Sequence, residues 1–519
     1  MAKTLASRGV EYVFGLPGGE ILAFIDACRR AGLRFLLAGH EASAAWMAQV
    51  VGQMTGIPGV CAATLGPGAA NLVTGVAGAW LDRAPMLAIT ADIPGSVRQT
   101  MTHQRLPLNS LFSLITKASI PLAEEDSATI VDYGLELAVA PRAGPVHISV
   151  ASDIAIRECG TRPQPWQAPA SPERHAGISQ IAARLAAVER PLMLIGLGAA
   201  PTSAPLVQAL VDKLHVPFLV TPKAKGIISE DHPLFAGVAS GMAIDRDIIE
   251  TIRNAGLVLA IGFDPVECDK TWFAAVDVVA IDAASMAEGS YRPLEAIGDI
   301  SHLLSELLAE ITEPKPWPEE LLQRRREAIR PKPLECPNGA SPLRLIEELR
   351  SVFPRDGIAT CDVGSHKLAI GQFWRAYEPG TFLMSNGLSS MGFGIPAAIA
   401  AQLVHPERAV MAMVGDGGML MMLHDLALVR ELGLPVIMVV FCDRSLSLIR
   451  VSAERRGFPP CGVDFRPPDF VRVAEAFGIA GRRAATTAEA RRCVEQALTG
   501  RIPLLLEVPI DSREYDELV

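Results

Sequence analysis

One alternation dominates this chain: a short apolar run, a turn of small residues, then a stretch whose apolar positions recur with helical spacing. RPLMLIGLG, APLVQALVDKL and VPFLVT give one such cycle. Parallel strands need a crossover of a dozen or more residues, usually helical, so a chain written in this way is expected to fold into parallel sheets covered by helices. With 519 residues, half of them hydrophobic, it exceeds what one core organises and should divide. Two stretches rich in proline or charge, 157–175 and 313–342, break the rhythm and read as linkers. They bound three expected domains, 1–157, 175–312 and 340–519.

The first and third segments share a layout. RFLLAGHE, ASAAWMAQVVGQ, GVCAATL and GPGAAN follow one another at nearly the spacing of TFLMSNG, SSMGFGIPAAIAAQ, AVMAMV and GDGGM. Two copies of one α/β design around a different middle domain explain this; so does convergence on a common superfold. The fold class expected is α/β, with three doubly wound parallel-sheet domains, the first and third alike and the middle one Rossmann-like.

Charge and cysteine usage exclude several functions. The formal net charge is −10 and no Lys/Arg stripe interleaves with aromatics, so a nucleic-acid partner is not expected. Nine cysteines stand singly, without a CxxC pair or zinc spacing, which suits reduced thiols in the cytoplasm. No charged-then-apolar leader and no run of about 18 apolar residues is present, so no membrane association is expected. The opening MAKTLASRG reads as the tail of an amphipathic helix feeding the strand EYVFGL.

GDGGMLMML, residues 415–423, raises the chemical question. RAVMAMV before it suits a buried strand and HDLALVRELG after it has helical spacing, so Asp416 sits at a strand exit. That is poor for packing and good for a cation. The glycines Gly415, Gly417 and Gly418 would leave backbone N–H groups free for a phosphate. A tight turn with a solvated aspartate explains the bare motif equally well. The downstream sequence decides: after a spacer covering 418–441, Cys442 and Asp443 end a second apolar run, PVIMVVF. Side by side in a parallel sheet, Asp416 and Asp443 would offer two hard oxygen ligands, which a carbonyl and phosphate oxygens would complete for Mg²⁺.

At these residues the sequence resembles the thiamine diphosphate enzymes, whose fingerprint is GDG, a spacer of this length and an Asn-Asn or Asn-Asp pair. Here the first Asn is Cys442. The resemblance implies Mg²⁺ on Asp416, the Asp443 side chain and the Ser445 carbonyl, with the backbone of Gly417, Gly418 and Met419 on the diphosphate. It also implies a carboxyl group at N1′ of the cofactor's pyrimidine. Glu41 in LLAGHEASAAWMA matches that position, although a glutamate in a first helical turn is also a plain dipole partner. Gly66, Pro67 and Asn71 of LGPGAANLVTG match the following turn. Met391 in SNGLSSMGFG corresponds to the hydrophobic wedge that bends the cofactor, Ser389 to the carbonyl facing the 4′-amino group, and Ser365 and His366 to polar residues near the diphosphate.

The resemblance covers nearly the whole chain. THQRLPLNSLFSLITKAS, VLAIGFDPVECDKTWF and SLSLIRVSAERRGFPPCGVDF are similar to stretches of acetolactate synthases, in particular the flavin-free catabolic type. This implies decarboxylation of a 2-oxo acid, pyruvate first among them, and carboligation to a second carbonyl, in a homodimer or homotetramer. His103 and Gln104 would face substrate. FAD in the middle domain is the lesser expectation, because GLGAAP departs from GxGxxG. The alternatives are a 2-oxo acid decarboxylase or aldehyde lyase that forms no acetolactate, and a catalytically retired cofactor-binding protein.

Overall fold

A computed structural model describes residues 1–123, 126–157, 177–241, 243–268, 272, 275–312 and 317–519. The first linker expected from sequence, 157–175, lies outside the described residues except for Arg157, as does Cys159.

Three six-stranded sheets, parallel throughout, carry the fold. The first contains β1 (Tyr12–Leu16), β2 (Arg34–Leu37), β3 (Gly59–Ala63), β4 (Met86–Asp92), β5 (Ser119–Pro121) and β6 (Pro145–Ala151). The second contains β7 (Pro191–Ile195), β8 (Phe218–Val220), β9 (Phe235–Val238), β10 (Leu257–Ile261), β11 (Val278–Asp282) and β12 (Leu294–Ile297). The third contains β13 (Ile358–Cys361), β14 (Phe382–Met384), β15 (Val410–Gly415), β16 (Ile437–Cys442), β17 (Ala480–Arg483) and β18 (Leu504–Pro509). Central strands such as β3, β4 and β16 are buried along their whole length, which is why they read as continuous apolar runs rather than as alternation.

The first and third sheets share a strand order that the second does not. The first sheet runs β2-β1-β3-β4-β6-β5 and the third β14-β13-β15-β16-β18-β17, the same permutation. The second runs β12-β11-β10-β7-β8-β9, which is the Rossmann order 3-2-1-4-5-6 read from its far edge. In sheets of this kind ligands bind outside the carboxyl ends of the strands where the order reverses. Those points lie between β1 and β3, between β7 and β10, and between β13 and β15.

Chain contacts gather into two compact units. One comprises 1–169, 387–407 and 421–436; the other 170–386, 408–420 and 437–519. Within the first, small residues let helices approach closely. A Cβ on Gly75 would lie 2.4 Å from that of Ala45, so the helices Glu41–Thr55 and Pro67–Leu81 meet nearly backbone to backbone. Gly394–Val404, a helix of mostly small residues, packs against Glu41–Thr55 in the same unit.

In the second unit, the charged stretch expected to be a linker is partly ordered structure. Glu319–Ala328 forms a helix with Leu322 buried, and Arg325 donates to the carbonyl of Ala236 at 3.0 Å. Its apolar residues are too widely spaced among charges for the sequence to display a packed face.

Candidate functional site

The residues singled out from sequence fall into two groups, one in each unit. In the first unit, β2 leads into the helix Glu41–Thr55, whose first residue is Glu41. His40 caps that helix, its Nδ1 accepting from the N–H of Ala42 at 3.1 Å. Glu41 is only 4 % exposed, and Asn71 Nδ2 donates to its Oε2 at 2.9 Å. Gly66 has φ +61° and directly precedes Pro67 at the start of the next helix, a conformation that favours glycine. A Cβ there would also strike Gln104 at 2.7 Å, so the structure brings Gln104 to this turn, while His103 is exposed.

The segment after β14 closes onto the same unit. The Gly387 N–H donates to Asp82 Oδ1 at 2.8 Å. Ser389 holds φ +53°, uncommon without glycine, and Met391 is half-buried. Sequence reasoning missed a buried anchor here. Asp425, fully buried, accepts from Ser43 Oγ at 2.9 Å, and its other oxygen lies 3.5 Å from His424 Nε2. Burial pushes its carboxyl up to about 7, with the Ser43 hydrogen bond pulling the other way.

In the second unit the two acidic strand exits meet. β15 pairs with β16 in a register that sets Gly415 beside Phe441, so Asp416 and Cys442 emerge next to each other, with Asp443 one residue on. Asp416, 2 % exposed, ties the two exits together: Oδ1 accepts from the Gly417 N–H at 2.9 Å and Oδ2 from the Arg444 N–H at 2.7 Å. The Cys442 thiol also points at Oδ2, 3.6 Å away. Asp443 accepts from the Ser445 N–H at 3.2 Å and from Ser447 Oγ at 2.6 Å. Burial raises Asp416 to about 6, and the neighbouring Asp443 charge adds to the effect. Burial likewise raises Asp443.

Across the reversal point, β13 leads into Asp362 and then the helix Ser365–Phe373. Its first residues, Ser365 and His366, are buried, yet Ser365 Oγ and His366 Nε2 make no hydrogen bond among the described residues. Burial lowers His366 to about 3, so its ring is neutral. Gly415 backs directly onto this ring: a Cβ there would lie 2.9 Å from His366 Cε1. A Cβ on Gly418 would fall 2.1 Å from Asp362 Oδ2. Asp362 itself was missed from sequence, although an acid directly after an apolar run is the signal that marked Asp416.

These groups fit a divalent cation and a diphosphate. The buried carboxylate of Asp416 and the half-buried one of Asp443 stand at the adjacent exits of β15 and β16, and two orphaned polar atoms head an adjacent helix. Among the described residues no cluster of three or more His, Cys, Asp or Glu converges. A cavity of about 490 Å³ is lined by Arg190, Asp247, Trp317 and Arg324 among others, and no candidate site residue is among its lining.

Comparison with known proteins supplies the rest. Residues 1–111 match the thiamine pyrophosphate enzyme N-terminal TPP binding domain, 178–307 the central domain and 362–508 the C-terminal TPP binding domain. Acetolactate synthase of Bacillus subtilis is 31 % identical, the match covering 98 % of this chain and 92 % of that one. This chain belongs to the acetolactate synthase-like thiamine diphosphate enzymes.

Other members of that family stand at similar distance. Acetolactate synthase isozyme 2 large subunit of Escherichia coli is 31 % identical, with 98 % and 94 % covered, and the catabolic acetolactate synthase of Raoultella terrigena 28 %, with the same coverage. As a thiamine diphosphate-dependent carboligase or decarboxylase, the protein acts on small molecules. Among the described residues no helix is long and apolar enough to cross a membrane.

Proposed function

We propose that this enzyme decarboxylates pyruvate and joins the remaining two-carbon unit to a second 2-oxo acid, as an acetolactate synthase. The observation that carries the reading is the carboxylate pair Asp416 and Asp443 at adjacent strand exits, joined through the Arg444 N–H, in a chain aligned end to end with acetolactate synthases. Asp416, Asp443 and the Ser445 carbonyl would hold Mg²⁺. Gly415, Gly417, Gly418 and Met419 would hold the diphosphate, with Ser365 and His366 lending their unused polar atoms.

Thiamine diphosphate, when bound, supplies a carbon nucleophile and a sink for the electron pair left as CO₂ departs. The chain's own work is positioning and proton handling. Glu41 holds and exchanges a proton at N1′ of the pyrimidine, and its burial keeps that hydrogen bond out of competition with water. Ser389 offers its carbonyl to the 4′-amino group and Met391 props the pyrimidine. Gly66, Pro67 and Asn71 shape the turn around Glu41, and His103 and Gln104 face the substrate.

Domain limits at 1–157, 175–312 and 340–519, a homodimeric or homotetrameric assembly and a cytoplasmic location complete the proposal. The test is product analysis after incubating the protein with thiamine diphosphate, Mg²⁺ and pyruvate. A five-carbon acetohydroxy acid is expected. Acetaldehyde alone would replace this reading with a simple decarboxylase, and bound cofactor without turnover on any 2-oxo acid would indicate a retired enzyme.

A further inference from the structure

The middle sheet has the strand order of a dinucleotide-binding fold, and its first strand β7 runs into a glycine-containing turn, Gly196-Leu197-Gly198. In that fold the turn and the helix after it present free N–H groups to a ligand's diphosphate. Here the backbone donors of the turn are already engaged. The Gly196 N–H donates to Ile261, Gly198 to Gly262 and Ala199 back to Gly196. Leu197 donates at 2.9 Å to Glu267 Oε2, a side chain arriving from beyond β10 on the far side of the reversal point. The following helical turn begins with Pro201, and the helix Ala204–Leu214 has Pro205 in its first turn; neither proline has an N–H.

The space is closed as well as the hydrogen bonds. Gly196 packs on the backbone of Gly262 and Phe263 so tightly that a Cβ would come within 2.5 Å of each. At the end of β8, where an acid usually receives a ribose hydroxyl, stands Thr221, and its hydroxyl is spent on Glu267 Oε1 at 2.5 Å. Glu267 is 3 % exposed.

We propose that the Glu267 carboxyl is a built-in occupant of the diphosphate cradle, so that the middle domain takes neither FAD nor any other dinucleotide. The domain keeps the Rossmann architecture and seals its ligand site from within.

The test uses the intact protein. After incubation with excess FAD and desalting, the wild type should retain no flavin absorbance, and titration with ADP should give no heat. Glu267→Ala should melt at lower temperature in phosphate-free buffer and recover part of the loss when inorganic phosphate fills the vacated cradle. Glu267→Gln, which keeps the shape and an acceptor for Leu197, should melt close to wild type and still refuse FAD. Stoichiometric flavin on the wild type overturns the proposal. So does a Glu267→Ala variant that melts like wild type, or one whose loss phosphate does not reduce.

Discussion

Asn71 donates a 2.9 Å hydrogen bond to Glu41 Oε2, joining the N-terminal ends of two helices that small residues hold almost in backbone contact. Glu41 is thereby a buried carboxyl with one fixed partner and its other oxygen close against Gly68. Replacing it by Ala should leave the fold and cofactor content intact and cost on the order of 10²- to 10⁴-fold in kcat, the scale of an acid–base group. Asn71→Ala removes a positioning bond worth about 1 kcal/mol, so a several-fold loss is expected. Steady-state kinetics beside cofactor quantification checks both; near-normal turnover of Glu41→Ala would refute the assignment.

Much of this arrangement is legible in the sequence because its signals are local. An acid directly after an apolar run marks a strand exit at Asp416 and Asp443, and Glu41 opens a run of small residues that only a tightly packed helix requires. The matching layouts of the first and third segments foretell their common strand order. Ser43 with Asp425, Asp362 with Gly418, and Glu267 with Leu197 were not legible. Each joins residues distant in sequence, and each needs the sheet topology before the two ends can be seen to meet.

Asp416 has two duties that substitutions can separate. It ties Gly417 and Arg444 by backbone hydrogen bonds, and its charge would hold Mg²⁺. Asp416→Asn keeps acceptor capacity for the loops and removes the charge, whereas Asp416→Ala removes both. Both variants should lose Mg²⁺ and thiamine diphosphate together, measured by metal analysis and mass spectrometry, with Asp416→Asn closer to wild type in melting temperature. Unchanged cofactor content in either variant would sink the metal assignment.

Asp425 anchors the turn that presents Glu41, because Ser43, its hydrogen-bond donor, lies two residues further along that helix. Removing the buried acceptor in Asp425→Ala leaves the Ser43 hydroxyl to His424 Nε2, 3.1 Å away, and should cost about 1 kcal/mol of stability in urea unfolding. Asp425→Asn, which still accepts through its carbonyl, should lose less. If Asp425→Ala unfolds at the wild-type urea concentration, the anchor is dispensable.

Glu267 gives the molecule a specific pH response. Burial raises its carboxyl from the usual 4.5 to about 8, against the pull of hydrogen bonds from Leu197 and Thr221. Because the folded pKa lies above the unfolded one, the folded state binds the extra proton in the interval between them. The stabilisation is therefore complete below about pH 4.5, declines as pH rises through that interval and is gone once the pH exceeds about 8. Melting temperature followed from pH 6 to pH 9 should fall more steeply for the wild type than for Glu267→Gln, whose amide cannot titrate. Parallel curves would mean that the group is already ionised across this range, and that the cradle holds a charged carboxylate in place of a neutral one.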